Sequence, residues 1–245
     1  MTDRIVLVTG ASRGIGAATA RLAAAGGYGV AVNYAHDEAA AAAVVADIAK
    51  AGGRAAAIRA DVSREHDVER LFSSIDRELG RLTHLVCNTG ITGPLSRIEA
   101  LAADAAREIL EVNVLGTFLC VRAAIPRLSK DQGGAGGAIV LISSAMATLG
   151  GPGEYVMYAA SKGAVESLSI GLALELAAEG IRVNVVEPGP IATGIHPPGR
   201  LERITKAVPM DRAGTMDEIA QAVMFLLSEQ SSFTTGAVLR VAGGR

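Results

Sequence analysis

The feature that most constrains the fold is a glycine-rich turn near the N-terminus. Gly10, Gly14 and Gly16 lie between an apolar run at 5–8 and an alanine-rich stretch. In a strand–turn–helix unit, the first glycine permits a sharp turn, the second lets the backbone approach a diphosphate, and the third lets the helix pack on the strand. The helix N-terminus then presents free N–H groups and the positive end of its dipole to phosphate oxygens. The turn therefore predicts nucleotide binding, although packing alone would also account for a glycine-rich turn.

Short β-branched runs alternate with longer alanine-rich stretches along the whole chain. Strands are predicted at 5–8, 29–33, 55–60, 85–87, 139–142, 182–186 and 238–241. Helices are predicted at 14–25, between the second and third strands, at 63–79 with Ser63 as its N-cap, at 103–128 and at 155–178. The strands are apolar on both faces, as a parallel sheet covered by helices requires. The pattern predicts an α/β fold: one doubly wound, mostly parallel, three-layer domain of the Rossmann type over residues 1–245.

Most predicted loops are short, but the segment after the sixth strand is long. Residues 188–216 are rich in proline and glycine and lack a strong periodicity. Such segments in compact domains are often lids or binding loops, so a substrate loop is predicted at about 189–216.

Composition excludes several classes of partner. The 245 residues carry 23 Lys+Arg against 25 Asp+Glu and no tryptophan. Neither nucleic acid nor an anionic membrane is expected, because there is no basic excess and few rings for base stacking. The longest uninterrupted apolar run, 39–46, is far shorter than the roughly 20 residues of a membrane helix. The four histidines have no metal-ligand spacing, so no metal is expected.

Cysteine usage and the N-terminus predict a compartment. Two cysteines are too few for a disulfide framework, which favours a reducing environment. The chain also runs straight into the first predicted strand without a signal-peptide core or cleavage site. A cytoplasmic protein is therefore expected.

The end of the second strand bears on the choice of nicotinamide cofactor. An acidic residue there would bind the ribose 2′-hydroxyl and repel a 2′-phosphate. This chain has Asn33 and Tyr34 instead, with Arg13 in the neighbouring turn. Asp37 and Glu38 come several residues later, where Asp37 more plausibly starts the next helix. NADP(H) is therefore the expected cofactor, with NAD(H) as the alternative.

Tyr158 and Lys162 are four residues apart, which puts them on one face of a helix. A lysine ammonium, together with the positive nicotinamide of the oxidised cofactor, would lower the pKa of the tyrosine from its usual value near 10. The tyrosine could then give a proton to a carbonyl oxygen or remove one from an alcohol. A hydroxyl at Ser144 would stabilise charge on the same oxygen, while Ser143 would point the other way if the strand continued through both.

The glycine turn with Thr9, followed by Tyr158-Ala159-Ala160-Ser161-Lys162, resembles the short-chain dehydrogenase/reductase family. The similarity covers essentially the whole chain. It also includes Asp61, Asn88-Thr89-Gly90, Asn113, Ser143-Ser144, Pro188-Gly189 and Thr193. The resemblance implies an NADP(H)-dependent oxidoreductase that interconverts a carbonyl and a secondary alcohol. Within the family, the chain looks closest to 3-oxoacyl-carrier-protein reductase-like and glucose 1-dehydrogenase-like members.

The resemblance also implies a role for each matching residue. Lys162 would hold the nicotinamide ribose, and Asn113 would sustain a proton relay through water. Asp61 would read the adenine amino group beside Val62. The implied catalytic set is Asn113, Ser144, Tyr158 and Lys162. The implied cofactor-binding set is Gly10, Ser12, Arg13, Gly14, Ile15, Gly16, Asn33, Tyr34, Asp61, Val62, Asn88, Gly90, Tyr158, Lys162, Pro188, Gly189, Ile191 and Thr193.

Some implications leave alternatives open. Thr89 replaces the alanine usual in the family and adds a hydroxyl of unknown effect, and Asp61 could simply cap a strand end. The long helices around Asn113 and Tyr158 resemble those that pair in the family's tetramers, so a homotetramer is expected. A nucleotide-binding scaffold or regulator that has kept the fold and lost turnover is the rival function.

Overall fold

The computed structural model describes residues 4–245, so the first three residues of the N-terminal segment considered above lie outside it. Seven strands form one sheet in the order β3-β2-β1-β4-β5-β6-β7, and every neighbouring pair is parallel. The strands are β1 Ile5–Val8, β2 Gly29–Tyr34, β3 Arg54–Arg59, β4 His84–Cys87, β5 Gly137–Ile142, β6 Ile181–Pro188 and β7 Val238–Val241.

Helices connect the strands and cover both faces of the sheet. They are α1 Gly14–Ala25, α2 Glu38–Lys50, α3 Glu65–Glu78, α4 Ala103–Leu110, α5 Gly116–Leu128, α6 Met146–Leu149, α7 Val156–Leu176, α8 Arg200–Thr205 and α9 Met216–Leu227. The five residues Glu111–Leu115 join α4 to α5 as a turn of π-helix. Short 3₁₀ turns occupy Ile98–Ala100, Lys130–Gln132 and Glu229–Ser231.

The alternation of side chains along the central strands builds two apolar layers. Ile5 and Leu7 pack into the layer with α3, α5 and α7, whereas Val6 and Val8 pack into the layer with α1, α2 and α9. All four side chains are buried. A strand buried on both faces is the condition for a doubly wound fold, so the predicted fold class is confirmed.

The strand order reverses between β1 and β4, which are neighbours in the sheet although β2 and β3 separate them along the chain. The connections that leave the carboxyl ends of these two strands therefore run in opposite directions. Ligands of open parallel sheets bind in the crevice that opens at such a point. The glycine turn follows β1, and Asn88 follows β4.

One local prediction was wrong. Ser63 does not cap α3, which begins at Glu65 and has no side-chain cap. Its hydroxyl instead donates to Asp61 Oδ1 over 2.7 Å in the turn after β3. The long segment after β6 contains the short helix α8, whose six residues are too few to produce a clear periodicity.

The helix spanning 103–128 is long and apolar enough to cross a membrane by length and composition, with a mean hydropathy of 1.5 in its best window. A core helix meets the same two criteria, and 44% of that window is buried inside the fold. Leu119, Cys120 and Ala124 of this helix belong to one of the two core layers. Charged residues such as Arg107 and Arg122 interrupt this helix, so it contains no apolar run longer than the one at 39–46.

Candidate active site

The glycine turn leaves an open space in front of α1. Gly10 and Gly14 both have φ of +60°, and a Cβ atom built on Gly14 would have no neighbour within 4 Å. No side chain caps the helix, so the N–H groups of its first turn have no side-chain acceptor among the described residues. Backbone donors at the positive end of a helix dipole, with room in front of them, fit the diphosphate of a dinucleotide.

Gly16 serves packing and not ligand access. A Cβ atom on Gly16 would lie 2.5 Å from the carbonyl oxygen of Gly10 and 2.5 Å from Asn88 Nδ2. Gly10 is restricted for a related reason, because its Cβ atom would lie 3.0 Å from the hydroxyl of Thr89. That hydroxyl is buried and has no hydrogen-bond partner within residues 4–245. Thr89 thus packs against the turn.

Two asparagine side chains hold the turn to the sheet. Asn88 Nδ2 donates to the carbonyl oxygens of Thr9 and Gly10 over 2.9 and 3.1 Å, which ties the ends of β1 and β4 together. Asn33 Oδ1 accepts from the Gly10 N–H over 3.2 Å, and Asn33 Nδ2 donates to the carbonyl oxygens of Ile58 and Ala60. Asn33 is only 1% exposed. The amide of Asn33 is therefore engaged in holding the turn.

The residues around the expected ribose site differ in whether their side chains are already engaged by other residues. Arg13 is exposed and makes no hydrogen bond or ion pair with any residue that the structure describes. Asp37 caps α2, as expected, by accepting a hydrogen bond from the Ala40 N–H over 3.0 Å. Tyr34 is buried in the layer beneath α1 and α2. Arg13 is thus the basic residue of this group, and its charged side chain is unengaged within residues 4–245.

Asp61 and Val62 lie at the carboxyl end of β3. Asp61 Oδ1 accepts from both the N–H and the hydroxyl of Ser63, and its other oxygen is 3.4 Å from Arg64 Nε. Val62 is buried, and its Cγ2 would be 3.0 Å from a Cβ atom on Gly116. Asp61 therefore makes the strand-end cap that the sequence left open as its alternative role.

Ser144 and Tyr158 meet through their hydroxyl groups, from the loop after β5 and from the first turns of α7. Burial raises the pKa of Tyr158, while the hydrogen bond from Ser144 and the charge of Arg200 lower it by less. The protein's own groups therefore shift this pKa upward, whereas the expected lowering also includes the positive nicotinamide of the oxidised cofactor. The ammonium of Lys162 lies 5.8 Å from the centroid of the Tyr158 ring and donates to the carbonyl oxygen of Ile142 over 2.8 Å.

Burial also lowers the pKa of Lys162, to about 8. The side chain is 4% exposed, and Gly90 leaves room for it, because a Cβ atom at Gly90 would lie 3.1 Å from Lys162 Nζ. The tyrosine and the lysine are therefore both shifted towards their neutral forms by the same cause, the removal of charge from water.

β5 ends at Ile142, so the strand does not continue through the two serines, and Ser143 contacts α7 further along the helix than Tyr158. Its hydroxyl donates to Glu166 Oε1 over 2.6 Å and lies 3.3 Å from the carbonyl oxygen of Lys162. The expected choice of Ser144 as the serine beside the tyrosine agrees with this geometry. Glu166 was not singled out from the sequence, because nothing in its spacing marks it.

Asn113 lies in the π turn, and its side chain hydrogen-bonds to the backbone of the segment after β4. Its Oδ1 accepts from the Ile91 N–H over 2.8 Å, and its Nδ2 donates to the Ile91 carbonyl and to Ser161 Oγ, each over 2.9 Å. The hydroxyl of Thr117 donates to the carbonyl oxygen of Asn113 over 2.8 Å. Both amide hydrogens of Asn113 are thus used within the protein, and π turns of this kind recur at functional sites.

The segment after β6 completes the edge of the site. The N–H of Gly189 donates to the carbonyl oxygen of Val241, and a Cβ atom on Gly189 would lie 2.7 Å from Ala242 Cα. Ile191 is buried and forms an isolated parallel bridge with Gly214. The N–H of Thr193 donates to the carbonyl oxygen of Ile191 over 2.8 Å. No group of three or more metal-ligating side chains occurs within residues 4–245.

Replacing Gly16 by alanine tests the packing of the turn. Because the new methyl group would collide with the backbone at Gly10, we expect Gly16→Ala to lower the free energy of unfolding by about 1–3 kcal/mol. Gly171→Ala is the control, since a methyl group there would meet nothing within 4 Å, and alanine favours a helix interior by about 1 kcal/mol. Urea denaturation measures both, and equal stabilities of the two variants would contradict this account.

Comparisons with known proteins agree with the fold and the motifs. The family described as Enoyl-(Acyl carrier protein) reductase matches residues 10–245. "Uncharacterized oxidoreductase YgfF" of Escherichia coli is 49% identical over 245 residues, covering 98% of this chain and 99% of the relative. A "3-oxoacyl-[acyl-carrier-protein] reductase" of Synechocystis is 37% identical, covering 100% and 97%.

Two further relatives bear on the cofactor and on the expected family members. "Glucose 1-dehydrogenase 2" of Bacillus subtilis is 34% identical, covering 100% of this chain and 95% of the relative. The crystal structure of a short-chain dehydrogenase from Burkholderia cenocepacia in complex with NADP is 34% identical, with a TM-score of 0.92, and covers 99% of this chain and 97% of that one. The chain belongs to the short-chain dehydrogenase/reductase family and is an oxidoreductase that acts on CH–OH or carbonyl groups.

Proposed function

We propose that the protein is an NADP(H)-dependent oxidoreductase that interconverts a carbonyl and a secondary alcohol, with Tyr158 as general acid and base. The observation that carries the proposal is that the Ser144 and Tyr158 hydroxyl groups lie together beside the buried Lys162 at the carboxyl edge of the sheet. Two hydroxyl groups that meet beside a buried lysine form a donor pair for one substrate oxygen. The open glycine turn lies at the same edge.

In the proposed reaction, bound NADPH supplies the hydride. Tyr158 donates its proton to the substrate carbonyl oxygen, and Ser144 hydrogen-bonds that oxygen as negative charge develops on it. The raised pKa of Tyr158 keeps the hydroxyl protonated at neutral pH, which suits the donor role. In the reverse direction Tyr158 accepts the proton of the alcohol. Lys162 holds the nicotinamide ribose, and Asn113 positions the segment after β4 and sustains the relay of protons through water.

The proposed cofactor site follows the carboxyl edge of the sheet. The turn residues Gly10, Ser12, Gly14 and Ile15 hold the diphosphate, Gly16 lets α1 pack closely behind them, and Arg13 faces the 2′-phosphate. Asp61 and Val62 contact the adenine. The rest of the proposed set supports the turn or holds the nicotinamide: Asn33, Tyr34, Asn88, Gly90, Tyr158, Lys162, Pro188, Gly189, Ile191 and Thr193.

Replacing Tyr158 by phenylalanine tests the proton donor. Because only a hydroxyl is removed, we expect Tyr158→Phe to lose about 10²–10⁴-fold in the rate of ketone reduction and to keep its affinity for NADPH. Tyr155→Phe, in the adjacent ring, is the matched control and should retain most of the rate. A panel of aldehydes and ketones with NADPH provides the assay.

Two results would count against the proposal. Near-normal rates in Tyr158→Phe would remove Tyr158 from the chemistry. If the unaltered protein bound NADPH tightly and reduced no member of the panel, the nucleotide-binding scaffold would become the better account.

Replacing Arg13 tests the cofactor preference. We expect Arg13→Ala to weaken NADPH binding about tenfold, the equivalent of one charge-assisted contact, and to leave NADH binding unchanged. Arg21→Ala is the control, because Arg21 lies on α1, the helix that begins just after Arg13, and is already paired with Asp47. Fluorescence titration with both cofactors measures the effect. Tighter binding of NADH than of NADPH by the unaltered protein would contradict the preference.

We also propose a homotetramer that forms through the helix spanning 103–128 and α7. These elements expose apolar side chains, among them Leu115, Phe118, Ile170 and Leu174, of which Leu174 is 81% exposed. Light scattering should give a mass near four times the 25.0 kDa of one chain. A monodisperse monomer would contradict the tetramer. The proposed compartment is the cytoplasm, supported by the buried, free cysteines Cys87 and Cys120 and testable by cell fractionation.

A further inference from the structure

A buried arginine lies where the substrate loop meets the segment before α7. Arg200, at the start of α8, is 8% exposed although it belongs to a loop that is otherwise largely open to solvent. Its guanidinium lies 4.9 Å from the centroid of the Tyr155 ring, and the Tyr155 and Tyr158 rings are in edge contact at 6.4 Å. A single ring therefore separates this cation from the proposed proton donor.

Arg200 also contacts the chain that carries Ser144. Its Nη2 lies 4.0 Å from the sulfur of Met146, and the N–H of Met146 donates to Ser144 Oγ over 3.2 Å. The guanidinium thus sits between the two segments whose hydroxyl groups would hold the substrate oxygen. A substituent on the substrate carbonyl that extends towards the substrate loop would approach Arg200.

The cluster around Arg200 carries a net positive charge. Glu154 accepts from Arg200 through one carboxylate oxygen at 2.9 Å and pairs with Arg203 through the other. Within residues 4–245, Glu154 is the one carboxylate paired with either arginine. One carboxylate between two guanidinium groups leaves an excess of one positive charge beside the proposed active site.

His196 does not remove this excess, because its contacts fix it in the neutral form. Arg200 Nη1 lies 2.9 Å from His196 Nδ1, and since an arginine can only donate, Nδ1 is the acceptor. The proton of the ring is then on Nε2, which donates to the carbonyl oxygen of Ile191 over 3.0 Å. Burial lowers the pKa of His196, in the same direction.

The guanidinium retains an N–H group for a ligand. It has five N–H groups, of which two face Glu154, one faces His196 and one faces the weak acceptor sulfur of Met146. The remaining N–H, on Nη1, has no partner among the described residues. A buried cation with an unused donor favours an anionic group over a neutral one, because low local polarity strengthens the charge interaction.

We propose that Arg200 is a specificity-determining residue that selects carbonyl substrates carrying a carboxylate. This inference rests on the proposed function and names its substrate class. A site whose charged group needs a partner from the substrate discriminates strongly against an analogue that lacks the partner group. The neutral ester of the same oxo acid keeps the reacting carbonyl and loses only the interaction with Arg200.

Matched acid and ester pairs test the selectivity. The substrates are 2-oxobutanoate, 3-oxobutanoate and 4-oxopentanoate with their methyl esters, assayed with NADPH. We expect a kcat/KM at least tenfold higher for the acid in one or more pairs, and a loss of that preference by tenfold or more in Arg200→Gln. Arg203→Gln is the control, because it removes the other positive charge that is paired with Glu154, but at an exposed position. It should leave the acid-to-ester ratio of kcat/KM within about threefold of its unaltered value.

The acid-to-ester ratio of kcat/KM distinguishes a role of Arg200 in recognising the carboxylate from a purely structural role. If Arg200→Gln lowered both rates equally, Arg200 would only hold the loop in place, and the inference would be overturned. Arg200→Lys keeps the charge without the planar fork, so it should keep part of the preference for the acid even if Arg200→Gln folds poorly. An unaltered protein with no preference for any acid would also overturn the inference.

A binding measurement distinguishes this inference from the proposed function. Calorimetric titration of the NADP⁺ complex compares 3-hydroxybutanoate with its methyl ester without requiring turnover. Tighter binding of the acid that is lost in Arg200→Gln would uphold the inference, even if no ketone were reduced and the proposed reaction failed. Equal binding of the two compounds would overturn the inference and leave the proposed reaction intact.

Discussion

The hydrogen bonds from Asn88 to the carbonyl oxygens of Thr9 and Gly10 are the contacts on which the geometry of the site depends. They join β1 to β4, the two strands between which the order of the sheet reverses. At such a reversal the connecting segments leave in opposite directions and open a crevice. An unbraced crevice would expose the carbonyl groups of the turn, whereas Asn88 satisfies them and fixes the distance between the two strand ends. The collision that any side chain at Gly16 would cause shows how closely the turn and Asn88 pack.

Burial of the catalytic candidates sets their protonation. Tyr158 has a raised pKa and Lys162 a pKa lowered to about 8, and in both cases the largest cause is loss of contact with water. Tyr158 therefore stays protonated at neutral pH, as a proton donor must, while Lys162 remains largely charged and can hydrogen-bond a sugar hydroxyl. The neighbouring Ser144 hydroxyl lowers the pKa of the tyrosine by less than burial raises it. The adjacent Ser143 ties the end of β5 to α7 through its hydrogen bond to Glu166.

The sequence predicted the fold and most of the site because both depend on local, periodic signals. The alternation of apolar strands and alanine-rich helices determines the layers, and the motifs fall at the strand ends that the topology brings together. Prediction from the sequence failed where a side chain has two plausible partners. The amide of Asn33 holds the glycine turn, which only the position of β3 beside it shows. Ser63 could cap a helix, yet it bonds Asp61 two residues earlier.

The remaining features that the sequence did not predict depend on distances in the fold, which the spacing of residues along the chain does not determine. A four-residue interval puts Tyr158 and Lys162 on one face of a helix. It does not predict that the ammonium donates to the Ile142 carbonyl oxygen, or that burial raises the pKa of Tyr158. Arg200 is the clearest case. In the sequence it is one of several basic residues of a polar loop, where solvation is the ordinary expectation. In the structure it is enclosed between Tyr155, Glu154 and His196. An arginine so enclosed gives up most of its hydration, and a single shared carboxylate compensates this only in part. The uncompensated charge at the mouth of the site therefore favours an anionic substrate, which no feature of the family's shared motifs would predict.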